Sequence, residues 1–338
     1  FSVDKSFILG LIPDEKYKRN AVGLVEAYNC KIGKQGIEEY TALTNPFVGL
    51  PACTWPYPQV FDLLDGIYVT TETGIYKANS SYVCVAMITG LPAGDLWEVA
   101  DFYSYQIWSN GTVTVVRDAE TGVFSTYPMT HPMGTIIDYN GQFIAANLGD
   151  DKENWIAWGN IGRVYLDRLL DHEDRSNTSG FMPMGFRGDI HRIKKLGEKI
   201  MVYGSQGIGA LKPGSVKPYK TMPQFGREDL FPFGVAGKGC VAGDENLHVF
   251  IDNFGYFHAI DKAGTHNRLG YSNYIANLEN EIVIHHDKLK NEYYIGDGDR
   301  AYLFSGGLSE TFQSTSGILR QGAVLYGVTY DGSDTTAY

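Results

Sequence analysis

The stretch Asp65-Gly66-Ile67-Tyr68-Val69-Thr70-Thr71, followed after a short turn by Gly74-Ile75-Tyr76, decides the fold. Asp-Gly is a turn signal, and the β-branched and aromatic run behind it reads as a strand. A second apolar strand follows at once. The same pattern of turn, strand, turn and strand returns five more times. It returns at Tyr105-Gln106-Ile107-Trp108, at Gln142-Phe143-Ile144-Ala145-Ala146 and at Lys199-Ile200-Met201-Val202-Tyr203. The last two are Leu247-His248-Val249-Phe250-Ile251 and Glu292-Tyr293-Tyr294-Ile295.

Anchored on Ile67, Ile107, Phe143, Ile200, Leu247 and Tyr293, the repeats are spaced 40, 36, 57, 47 and 46 residues apart. Most anchors have an apolar strand before them, such as Val60-Phe61-Asp62-Leu63-Leu64, and several have a fourth strand after. Four-stranded meanders recurring at this period predict an all-β fold, a β-propeller of six or seven irregular four-stranded antiparallel blades. One meander cannot cover both of its faces, whereas blades packed in a ring can, which favours the ring over an open sandwich of two sheets. The strand at 323–330 is expected to pair with 23–28 and to form a seventh, composite blade. The whole chain, 1–338, reads as one propeller domain. The long gap before Ile200 reads as an inter-blade insertion at 161–186, with a short helix near 163–171.

Composition fits this reading. The 40 glycines imply many tight turns, and the 23 tyrosines suit half-buried strands. A net charge of -11 argues against general nucleic-acid binding, which needs clustered positive charge. Cys30, Cys53, Cys84 and Cys240 contain no Cys-x-x-Cys pair and read as small buried thiols. No apolar run reaches the ~20 residues of a membrane-spanning helix, and Phe1-Ser2-Val3-Asp4-Lys5 does not read as a secretion signal.

No catalytic, cofactor-binding or metal-binding residue emerges. Gly204-Ser205-Gln206-Gly207-Ile208-Gly209 lies between strands and is a turn rather than a phosphate loop. His285 and His286 are adjacent on a strand and should point to opposite faces. His248 and His258 could meet across a hairpin, as packing. Asp297-Gly298-Asp299 and Gly149-Asp150-Asp151 read as acidic turns without the spacing of a calcium loop. Asn79, Asn110 and Asn177 open glycosylation triplets of the kind that chance supplies.

Thr54-Trp55-Pro56-Tyr57-Pro58-Gln59-Val60-Phe61, then Ala100-Asp101-Phe102, then Ile107-Trp108-Ser109-Asn110-Gly111, resembles tailed-bacteriophage virion proteins. More broadly, the chain looks like the irregular propellers of phage tail hub and nozzle proteins. The resemblance implies a non-enzymatic virion protein, assembled in the host cytoplasm against other virion proteins or copies of itself, with no cofactor. The alternative is a propeller that binds or hydrolyses a host surface glycan. Within the insertion, Arg163, Arg168, Arg175, Phe181, Met182, Met184 and Phe186 are the expected partner contacts, because Arg, Met and aromatics are enriched in interface cores.

Overall fold

The computed structural model describes the backbone of residues 22–28, 30–33, 36–39, 311–313, 324–329 and 334–337. It describes backbone and side chains for 47–127, 132–149, 151–164, 166, 179–214, 225–305 and 307–310. The chain is an all-β, six-bladed propeller of four-stranded antiparallel sheets. Among the described residues, helix is confined to the single turn Ser272–Ile275 and the 3-10 turn Lys238–Cys240.

The chain divides into two compact units. The first four blades lie in 46–238; the last two lie in 239–338, which forms one unit with 1–45. Blade one is Gln59–Leu63, Gly66–Thr71, Gly74–Ala78 and Cys84–Thr89. Blade two is Glu98–Phe102, Tyr105–Ser109, Thr114–Asp118 and Phe124–Thr126. Blade three is Thr135–Tyr139, Gln142–Ala146, Trp155–Trp158 and Gly180–Pro183. Blade four is Ile190–Leu196, Lys199–Gly204, Ile208–Pro213 and Phe225–Phe231. Blade five is Val241–Gly243, Leu247–Ile251, Phe257–Asp261 and His266–Gly270. Blade six is Val283–Asp287, Glu292–Gly296, Arg300–Phe304 and Leu308–Gln313. Within each unit the first strands of successive blades are neighbours, which makes them the inner strands.

All six anchor residues fall in second strands. These strands are buried along most of their length and mainly apolar because both of their faces are covered. On Gln142–Ala146, Phe143 and Ala145 enter the core shared with blade two, while Ile144 and Ala146 enter the core shared with blade four. On Tyr105–Ser109, Trp108 turns toward blade one and Ile107 toward blade three. In the other unit, Val249, Ile251 and Phe257 pack with Tyr293, Ile295 and Tyr302. Cys84 and Cys240 are buried free thiols, and Cys53 is a half-buried one.

Two expectations need correction. Residues 22–28 do pair antiparallel with 324–329, but they build no seventh blade. Val22–Tyr28 adds in parallel to Leu308–Gln313, the last strand of blade six, so the pair extends that sheet, which ends at Asp334–Ala337. The stretch 161–186 is not between blades either. It joins the third and fourth strands of blade three, and its end, Gly180–Pro183, is that fourth strand. The helix expected near 163–171 falls largely outside the described residues.

Close packing leaves no room for side chains at several turns. A Cβ at Gly134 would stand 2.7 Å from the Cβ of Asn147, whose carbonyl accepts the Gly134 N–H at 2.9 Å. Gly226, on an outer strand, has open space in the Cβ direction. Gly134→Ala is therefore expected to lower stability by about 1–3 kcal/mol in chemical denaturation. Gly226→Ala should leave it unchanged or slightly raised. Equal effects would contradict this packing.

Candidate functional site

An inner strand pairs along one edge only, so its other edge presents backbone N–H and C=O groups that need partners. In the 46–238 unit, the first residue of the inner strand in blades one, two and three reaches across to the next blade. Gln59 Oε1 accepts the Trp97 N–H at 2.8 Å, and Gln59 Nε2 donates to the Trp97 carbonyl at 3.4 Å. Glu98 Oε2 accepts the Ile136 N–H at 2.8 Å, and Thr135 Oγ1 accepts the Ile193 N–H at 3.1 Å. Arg192 of blade four lies 3.3 Å from Glu98 Oε1. The buried Lys238 donates from Nζ to the carbonyls of Leu96 at 2.6 Å and Gly134 at 2.7 Å. Polar residues at the axis thus join blades one to four, and their donors and acceptors are engaged with backbone or with one another.

A second cluster joins blades one and two. Asp65 Oδ2 accepts from Tyr68 at 2.7 Å and pairs with Lys77 and Arg117, each at 2.9 Å; its Oδ1 accepts from Gln106 at 2.7 Å. Burial alone would raise the Asp65 carboxyl. The hydrogen bonds from Tyr68, Lys77 and Gln106, with the Lys77 charge, outweigh it and hold the group well below the usual carboxylate range.

The same end of this unit, where first strands turn into second and third into fourth, carries protruding apolar side chains. Leu64 is 96% exposed, Tyr103 67%, Val123 62% and Ile161 59%. The turns are contiguous. The Asp101 carboxylate accepts the Leu64 N–H, the Tyr103 hydroxyl lies over Gly141, and the Gly162 N–H donates to the Gly141 carbonyl. The Ala119 N–H donates to Ser104, bringing in the turn before Val123. Tyr103 has φ +53, the left-handed region. The equivalent first turn residues in blades three and four are Asn140 and Gly197, types that adopt this region easily.

The expected contact residues are placed differently. Phe181 stacks on Trp155 with ring centroids 5.4 Å apart. Met184 is buried between blades three and four, Met182 and Phe186 pack against that core, and Phe186 also covers Gly204 and Gly207. Arg163 is exposed; Arg168 and Arg175 lie outside the described residues. The structure therefore gathers the four apolar residues into blade packing and leaves Arg163 on the surface.

His285 and His286 diverge, with His285 exposed and His286 stacked on Tyr293 at 4.4 Å. His248 stands opposite Ile260, not His258. His258 instead bonds His266, ring nitrogen to ring nitrogen, at 2.9 Å and Asp252 at 2.9 Å, which only the register of the outer hairpin could have shown. Asp297 accepts four backbone N–H groups, from Glu279, Asn280, Asp299 and Arg300, as a turn residue. Among the described residues, no three His, Cys, Asp or Glu side chains are arranged to hold a metal ion. No described helix is long and apolar enough to cross a membrane.

The fold and these clusters define a β-propeller whose 46–238 unit has interlinked inner strands and an apolar turn end. No protein-family model and no curated protein matches the chain. Solved structures do. An essential bacterial surface component of the type-IX secretion system of Porphyromonas gingivalis, PorZ, is similar at TM-score 0.50 and 11% identity, over 81% of this chain and 38% of that one. The extracellular domain of a hybrid two-component system of B. thetaiotaomicron is similar at TM-score 0.56 and 12% identity, over 82% and 35%. That of a one-component system from the same source gives 0.54 and 12%, over 86% and 39%. The chain spans about two fifths or less of the length of each. At these identities the likeness shows the fold alone.

These findings overturn the expected kinship with phage tail propellers and the virion role attached to it. The similar structures are bacterial surface and signalling proteins. The motifs behind the phage resemblance have a plainer role. Tyr57, Trp97 and Trp108 form the core between blades one and two, and the Tyr57 hydroxyl donates to the Asp95 carbonyl at 3.0 Å. They are what packing two blades requires.

Two measurements test the clusters. Lys238→Met removes the donor from two carbonyls and should cost about 2–4 kcal/mol, read by denaturant midpoint; an unchanged midpoint would refute the tie. For Asp65, the folded carboxyl is held below its unfolded value of ~3.9. Its stabilisation is present above that pH and is lost as pH falls below it. Asp65→Asn should therefore melt lower than the parent at neutral pH, and the gap should shrink toward about pH 2. A gap independent of pH would show that the Asp65 charge is not what matters.

Proposed function

We propose that this chain is a non-catalytic recognition propeller, which binds another protein through the turn end of blades one to three. The observation that carries the reading is Tyr103. A tyrosine in the left-handed region costs about 1–2 kcal/mol relative to glycine. It stands where blades three and four use Asn140 and Gly197, and it is largely exposed although its ring packs edge-on against Phe102 and its hydroxyl lies over Gly141. Strain kept at an exposed aromatic is better explained by binding than by folding. Leu64, Val123 and Ile161 surround it with further apolar surface, of the kind that marks interaction sites. The described carboxylate clusters, by contrast, are engaged with the protein's own backbone and cations. The bacterial surface and extracellular propellers that share the fold support a role in display and recognition.

Tyr103→Asn separates the two explanations. It is expected to keep or raise the melting temperature while removing the partner contact. The contact is read by a photo-reactive residue placed at position 64, with one at the exposed Val85 of the outer strand of blade one as the control. A discrete adduct at 64, lost with Tyr103→Asn and absent at 85, is the expected result. Equal adducts at both positions, or a lowered melting temperature, would assign Tyr103 to folding.

A further inference from the structure

The charges around the protruding side chains identify what docks there. Asp62 and Asp138 are exposed at the ends of the inner strands of blades one and three, and Asp101 is half-buried at the corresponding position of blade two. Glu120 is exposed in the turn that precedes Val123. The nearby cations are fewer and occupied. Lys77 and Arg117 are on Asp65, and Lys195 sits by Asp138, bonds Asn140 at 3.4 Å and lies over the Tyr139 ring; Arg163 is exposed. With Asp65 counted, five carboxylates stand against four cations at this apolar surface, and three of those cations are taken up by Asp65, Asp138 and Asn140.

Resting on the reading above, we infer that the occupant of this surface is a basic amphipathic segment of another protein. Its apolar side chains would lie against Leu64, Tyr103 and Ile161, and its Lys or Arg side chains against Asp62, Asp101 and Asp138.

Three features favour this occupant. Burial pushes the Asp101 carboxyl up, and the Leu64 N–H only partly opposes it. Burial raises Asp138 as well, the Gly141 N–H and Lys195 oppose that, and the Asp101 charge adds to it. The Asp65 charge raises Asp101 further and Arg117 opposes that, and an incoming cation would relieve both carboxylates. A second copy is disfavoured, because a two-fold interface sets a patch against itself and would face these aspartates with their own kind. An anionic lipid surface is disfavoured by the same sign of charge.

The test uses the whole chain with two fluorescent probes, a short amphipathic peptide of Leu and Lys and its counterpart with Glu for Lys. Binding is followed by anisotropy at low and high salt. The Lys peptide should bind and weaken with salt, and the Glu peptide should not bind. Asp101→Asn with Asp138→Asn should weaken the Lys peptide about tenfold, as should the exposed Asp62→Asn paired with Asp138→Asn if the first pair lowers the melting temperature. Leu64→Ser with Tyr103→Asn should weaken it at least as much. Binding sensitive to the apolar pair but not to the aspartates would overturn the inference and leave the docking surface standing. Binding sensitive to neither pair would overturn both. Self-association, or binding to phosphatidylserine vesicles, that disappears with Leu64→Ser would overturn it in favour of a second copy or a membrane.

Discussion

The open edge of the inner strand is the constraint on which the rest of the 46–238 unit depends. A four-stranded meander has two edges. The outer one can be left to water, but the inner one faces its counterparts in neighbouring blades, where water is scarce and an unpartnered N–H is costly. The chain meets this with one polar residue at the start of the inner strand in blades one, two and three: Gln59, Glu98 and Thr135. Each side chain caps a backbone N–H one blade further on. The bond fixes the height of one blade against the next, so the apolar faces meet in a single register.

That register allows the second strands to serve two cores at once. Successive residues of a strand point to opposite faces, so Phe143 and Ile144 belong to different blade junctions although they are adjacent in sequence. A change at one junction is felt on one side only, and spacing between repeats can vary without disturbing the packing. The 57-residue gap before Ile200 is an example: the extra chain sits between the third and fourth strands of blade three and leaves its inner three strands in place.

This division explains what was legible in the sequence. Strands buried on both faces read as mainly apolar runs behind a turn signal, and all six second strands are found that way. Inner strands are half polar, because their side chains also cap backbone and form ion pairs. Ile190-His191-Arg192-Ile193-Lys194-Lys195-Leu196 has no period of two, since a bulge between Ile190 and Arg192 shifts its register, and it passes unnoticed. Val241–Gly243 is too short to stand out. The strand Gly180–Pro183 hides in what looks like an insertion, so its Phe181 and Met182 suggest a partner while they pack on their own blade. The capping residues did leave a trace. Gln59-Val60-Phe61-Asp62-Leu63, Glu98-Val99-Ala100-Asp101-Phe102 and Thr135-Ile136-Ile137-Asp138-Tyr139 share a polar first residue and an aspartate in fourth place. Two periods are involved here, one of two residues within a strand and one of about forty between strands, and only the second reveals the pattern.

The same shared pattern shows why exposed apolar and acidic side chains gather at one end of the sheets. The first residue of each inner strand is fixed by the neighbour it caps. The fourth, an aspartate in three successive blades, reaches the turn end, where the backbone is already paired and the carboxylate has less to do. The turns beside it have no blade to cover them, so a leucine or tyrosine there contributes nothing to either core. Packing specifies the interior so closely that aromatics such as Tyr57, Trp97 and Trp108 report the demands of joining two blades. Residues free of those demands are the ones whose identity can record a partner.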